Sequence, residues 1–158
     1  RIEQINGLLD LAAGEAERCL NTSLAMRTWD FFVMNNLGGL YSLTNNHKKS
    51  VFYLEQALQF EDAAPTTWAA LGEAHEKWGV TRWLVAHQSG IDQQQAWIAR
   101  AEDSWRKALE AFETFLRENS AAPQAGYVRQ SVERLRGWLR GEGRPPPGSK
   151  VPRTAVVD

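Results

Sequence analysis

The residues able to do acid–base, nucleophilic or metal chemistry are few in this chain and lie far apart. Its three histidines, His47, His75 and His87, are isolated in sequence. No His-Glu-x-x-His pair and no paired cysteines supply the spacing a metal site needs. His75 is expected in or beside a core, whereas His47, directly after Asn45-Asn46 in a turn, is expected in solvent. The lone Cys19 has no base beside it and reads as a small buried apolar side chain. It cannot form an internal disulfide, so it implies no oxidising compartment and excludes none. Leu37-Gly38-Gly39-Leu40 is rich in glycine, but its surroundings are helical and no Lys-Ser/Thr follows to hold a phosphate. The expectation is a protein with no catalytic residue, no metal and no cofactor.

The elements that must carry these residues follow from composition and periodicity. A length of 158 residues, 43% of them hydrophobic, suits one domain with its own core. A net charge of −1 argues against bulk attraction to nucleic acid or to an anionic membrane. No apolar run reaches the roughly 18–20 residues of a membrane span. The opening Arg1-Ile2-Glu3 lacks a methionine and reads as a trimmed or processed start. Apolar residues recur at steps of three and four, as in Trp97, Ala101, Trp105, Ala108, Phe112 and Phe115. Alternation of period two is sustained nowhere, so the chain is expected to be all-α.

Self-similarity organises these helices. Leu37-Gly38-x-x-Tyr41 returns 34 residues later as Leu71-Gly72-x-x-His75. Downstream, Tyr53 to Leu58 and Ala63-Ala64-Pro65 return 58 residues later as Ala111 to Leu116 and Ala121-Ala122-Pro123. The second unit therefore looks like the first with about 24 residues inserted, close to 79–102. A fainter echo places Leu20, Ser23 and Leu24 upstream of Leu54, Ala57 and Leu58. The predicted pairs are 2–12 with 15–27, 31–44 with 48–61, and 66–88 with 92–119. A last helix, 124–140, closes the series. Pro65 with Thr66-Thr67, and Asp92 after Gly90, are the expected helix starts. Gly38 and Gly72 cost helix stability, and a cost repeated at a fixed period predicts that another helix packs too closely there for a side chain.

Trp68-x-x-Leu71-Gly72-x-x-His75, with Ala57 and Pro65 spaced around it, resembles the tetratricopeptide repeat signature Trp-x-x-Leu-Gly-x-x-Tyr. Met34 stands at the Trp position of the first unit and His75 at the Tyr position of the second. The likeness covers about 31–79 and 101–123. It implies a right-handed stack of helical hairpins, here over 1–140, with one elongated hairpin and a capping helix. It also implies a concave face lined by the first helix of each pair. That face would hold Asn35, Gly39 and Ser42 in one unit and Ala69, Glu73 and Glu76 in the next. Some family members hold carboxyl-terminal tails in a clamp of lysine, asparagine and arginine; here Asn35 alone matches it, and Glu73 and Glu76 would repel such a tail. The resemblance therefore implies a protein or peptide partner offering a neutral or basic segment.

Two further surfaces invite attention. Trp78, Trp83 and Trp97 lie near the ends of the insertion, with Trp105 just beyond. They either zip a longer hairpin together or present a projecting aromatic contact, with Trp83 the candidate. From Tyr127 onward, seven basic residues face three acidic ones. Arg129, Arg136 and Arg140 with Tyr127 and Trp138 could form a nucleic-acid patch. The stripe of Val128, Val132, Leu135 and Leu139 reads instead as a closing helix with a solvated basic face. Residues 141–158, rich in glycine and proline, are expected to form a flexible tail. The expected function is a non-enzymatic adaptor or complex subunit, with a small helical nucleic-acid-binding subunit as the alternative.

Overall fold

The protein is described by a computed structural model covering residues 2–25, 31–60, 64–88 and 90–151. The described residues form six helices: α1 (Ile2–Ala25), α2 (Phe31–Leu43), α3 (His47–Ala57), α4 (Pro65–Ala86), α5 (Gln94–Glu118) and α6 (Ala125–Leu139). No strand occurs among them. Each helix packs on its neighbour in sequence, and α2 also reaches α4.

The repeated glycines sit where helices touch. A Cβ on Gly38 would lie 2.4 Å from Leu54 Cγ of α3, and one on Gly72 would lie 2.5 Å from the Phe112 ring of α5. Leu54 and Phe112 are themselves 58 residues apart, so the same contact recurs at the spacing seen in the sequence. Gly79 makes a third close approach: a Cβ there would lie 2.4 Å from the Trp105 ring. The insertion lengthens both arms of the second pair, to 22 residues in α4 and 25 in α5 against 13 in α2 and 11 in α3.

Three apolar clusters hold the helices together. The largest joins α4, α5 and α6 through Leu84, Trp105, Phe112, Phe115, Val128, Val132, Leu135 and Trp138. A second, of Val51, Leu54, Leu71, Ala74 and Ala111, fills the space between α3, α4 and α5. The third gathers Met34, Leu37, Tyr41, Tyr53 and Ala57 around Ala13 of α1. There the Tyr41 hydroxyl lies 3.3 Å from the Ala13 carbonyl and donates to Glu17, whose carboxylate also takes Lys49 at 2.6 Å. Burial opposes ionisation of Glu17, but the hydrogen bonds from Lys49, Tyr41 and Tyr53 outweigh it and lower its pKa.

Several expectations require correction. Residues 2–12 and 15–25 form one continuous helix rather than a pair. Gly14 sits between Ala12-Ala13 and Glu15-Ala16, and a single glycine costs only about 1 kcal/mol among good helix formers. The side chains of Leu20, Ser23 and Leu24 lie outside the described residues. Cys19 is exposed. His47 is 1% exposed, because its Nε2 pairs with Thr81 Oγ1 of α4 at 3.1 Å. Helix α5 starts at Gln94 after a left-handed Gln93, with no side-chain cap from Asp92.

The segment after α6 is not free over its described length. Gly141 and Gly143 take positive φ and turn the chain back. Trp138 Nε1 donates to the Gly143 carbonyl at 2.7 Å, and Trp83 Nε1 donates to the Pro145 carbonyl at 2.9 Å. Arg144 pairs with Glu102 at 2.8 Å, and Val151 packs against the largest cluster. Indole N–H groups seeking acceptors hold this glycine- and proline-rich stretch in place. Residues 152–158 of the expected tail lie outside the described residues.

Candidate partner-binding cleft

Residues 73, 76, 77, 80, 81 and 84 recur at three- and four-residue steps, which puts them on one face of α4. That face forms one wall of a cleft of about 300 Å³, lined also by Asn45, His47, Tyr127 and Lys150. The turn between α2 and α3 closes one side. Tyr127, 51% exposed at the start of α6, and Lys150 from the returning tail form the other. Val80 and Leu84 supply the apolar part of the lining. This combination of apolar surface and few polar groups suits a bound segment.

The charges in the cleft differ from a simple count of its glutamates. Glu76 is 8% exposed and is held by Arg134 of α6, whose Nη2 approaches Glu76 Oε1 to 2.6 Å. Burial raises the Glu76 pKa, and the Arg134 partner opposes that rise. Glu76 is therefore a structural link between α4 and α6 rather than a free contact charge. Glu73 is half-buried and makes no ion pair among the described residues. Lys77 is exposed, with its Nζ 3.4 Å from Ser42 Oγ. The α4 wall of the cleft thus carries one free negative and one free positive charge, and Lys150 adds a second positive charge from the tail.

The cleft also brings His47 to the same place as Glu73 and Glu76, an arrangement that acid–base chemistry would need. The contacts do not complete it. His47 bonds Thr81 rather than either carboxylate, its Nδ1 is buried without a partner, and Glu76 is committed to Arg134. Burial, with Lys77 and Arg82 nearby, lowers the His47 pKa to about 4, so the ring is neutral at pH 7. No cluster of histidine, cysteine and carboxylate fit for a metal occurs among the described residues.

The candidate residues separate into two groups. Glu73 and Glu76 line the cleft, and Ser42 reaches its edge through Lys77. Asn35 lies away from it and ties α2 to α4, accepting from Thr67 Oγ1 at 2.9 Å. Ala69 is buried in the largest cluster. Trp83 is not part of a projecting aromatic surface. It is 8% exposed, covered by Arg144 at 4.9 Å and packed on Trp105, which in turn meets Trp138 at 5.0 Å. These indoles zip the long hairpin to α6. Lys77, Val80, Thr81 and Leu84 were not singled out from the sequence, although their helical spacing from Glu73 was available there.

On the opposite face of α4, a second cleft of about 560 Å³ is lined by Glu55, Gln59, Trp68, His75, Lys107 and Glu110, among others. His75 is 5% exposed and stacks on Trp78. Burial lowers its pKa to about 4, helped by Lys107 and Arg82. The arginines of the basic end are engaged: Arg136 pairs with Glu113 and Glu133, Arg140 with Glu142, and Arg129 donates to the Ser120 carbonyl. No helix among the described residues is long and apolar enough to cross a membrane. No family profile, curated protein or solved structure compared with the chain matches it.

Proposed function

We propose that the chain is a non-enzymatic interaction module with a tetratricopeptide-like stack, which receives an extended segment of a protein partner in the cleft along α4. The observation that carries this reading is the cleft itself: an apolar wall at Val80 and Leu84 beside the half-buried Glu73, rimmed by Tyr127. The stacked reading draws on the recurrence of the Gly38–Leu54 contact as Gly72–Phe112, and on the reach of α2 to α4. Such stacks present rigid extended surfaces, and function follows from the site they carry. Glu73 offers one basic side chain of that segment an opposite charge. Lys77 and Lys150 line the same cleft, so a neutral segment or one with a single basic residue suits it.

The test places a photo-crosslinking residue at Val80, or at Gln59 of the opposite cleft, in the full chain exposed to native extract. One protein captured at Val80, absent at Gln59 and lost with Glu73→Arg is the expected result. Capture at Gln59 alone moves the site to the other face. The nucleic-acid alternative has the weaker support, since each basic side chain it invokes already faces a carboxylate or a carbonyl. It predicts retention on RNA or DNA that collapses with rising salt and with the Arg136→Glu/Arg140→Glu variant.

A further inference from the structure

The returning tail leads directly into the cleft. Pro145 is bonded at the level of Trp83, and the Ser149 N–H donates to the Pro146 carbonyl at 3.2 Å, a turn that redirects the chain. Lys150 then lines the cleft, where Val80 and Lys77 also lie, and Val151 is half-buried against the largest cluster. The tail thus passes from Trp83, near the C-terminal end of α4, into the cleft that Glu73 also lines. The next residues are Pro152-Arg153-Thr154-Ala155-Val156-Val157-Asp158. At about 3.3 Å each they span roughly 23 Å. The eleven-residue step from Val80 to Ala69 is roughly 16 Å of helix. The segment is long enough to pass Glu73.

We propose that residues 152–158 of the same chain occupy this cleft, with Arg153 opposite Glu73. The chemistry is complementary: Arg153, three residues beyond Lys150, supplies one cation for the glutamate left unpaired among the described residues. Tethering raises the local concentration of the segment to roughly the millimolar range, so a weak intrinsic affinity suffices. An outside partner then binds by displacing this segment. The proposal rests on the cleft being a segment-binding site, as proposed above.

A fluorescent peptide of residues 149–158 is titrated into a chain ending at Val151 and into the full chain. It is expected to bind the shortened chain, and the full chain at least about tenfold more weakly. Glu73→Arg should abolish binding to the shortened chain, and an Arg153→Glu peptide should restore it. In the full chain with Cys19→Ser, a nitroxide at Val156→Cys should broaden the amide signals of Lys77 and Tyr127 at every protein concentration. Equal affinities for the two chains, no binding to either, or broadening that vanishes on dilution would each overturn occupancy by the chain's own segment. Partner crosslinking at Val80 that continues alongside any of these outcomes shows that the cleft reading survives alone.

Discussion

Gly38 and Gly39 are adjacent in α2, yet the reasoning about close helix contacts assigns them opposite responses to the same methyl group. At Gly39 a Cβ meets nothing within 4 Å. Gly39→Ala should therefore gain the helix-propensity term, up to about 1 kcal/mol. At Gly38 the Cβ would lie 2.4 Å from Leu54 Cγ, 2.7 Å from Cδ2 and 3.3 Å from the Leu54 backbone nitrogen. Leu54 is 1% exposed, so it has little room to withdraw, and overpacking of this kind costs about 1–3 kcal/mol. The propensity gain offsets part of that cost. Gly38→Ala should be destabilised by roughly 0–2 kcal/mol, leaving a gap of about 1–3 kcal/mol between the two variants. Urea titrations followed by circular dichroism measure this directly, and thermal melts should differ by roughly 2–4 °C per kcal/mol. Equal gains in stability for both variants would refute close packing of α2 on α3.

Other perturbations read different contacts. Arg144→Ala removes the Glu102 pair, the bond to the Trp138 carbonyl and the cover over Trp83. A loss of about 1–3 kcal/mol and a red-shifted tryptophan emission are expected. Arg134→Ala strands the buried Glu76 carboxylate. Its folded pKa already lies above the unfolded value, so its ionisation costs stability as pH rises and the cost is relieved on acidification. Urea titrations at pH 5 and pH 7 should show the variant losing more at pH 7. His47 and His75 act with the opposite sign, since their pKa values are lowered to about 4. Between about pH 6.5 and 4 the unfolded chain binds the extra protons, so stability should fall on acidification by at most about 1.4 kcal/mol per pH unit for each histidine. A His47→Gln/His75→Gln variant, if folded, should flatten that limb in the same titrations. The exposed Cys19 should react with a thiol reagent in the native protein, without denaturant.

What could be read in advance was whatever repeats or keeps a period. Gly38 and Gly72 announced their contacts because a residue unfavourable in helices returned at one spacing, and the valine and leucine stripe of α6 placed that helix on α5. The misread features depend on partners far along the chain. His47 is buried by Thr81, 34 residues on, and Glu76 is neutralised by Arg134, 58 residues on. Neither distance leaves a local trace. The contacts of 141–151 were concealed because their acceptors are backbone carbonyls, which carry no residue identity, while the donors are Trp83, assigned to the hairpin, and Trp138, assigned to the basic end. Glu73 was placed in the cleft by its register in α4. The tail's share of that cleft, Lys150, had no periodic neighbour to betray it.

One indole from each of α4, α5 and α6 meets its neighbour near the far end of the long hairpin, with ring centres 5.9 Å and 5.0 Å apart in turn. Three coupled chromophores on three separate helices make a built-in optical gauge. Their near-ultraviolet dichroism reports the mutual placement of these helices, and it would fade while far-ultraviolet helicity persists if the hairpin parted from its neighbour before melting.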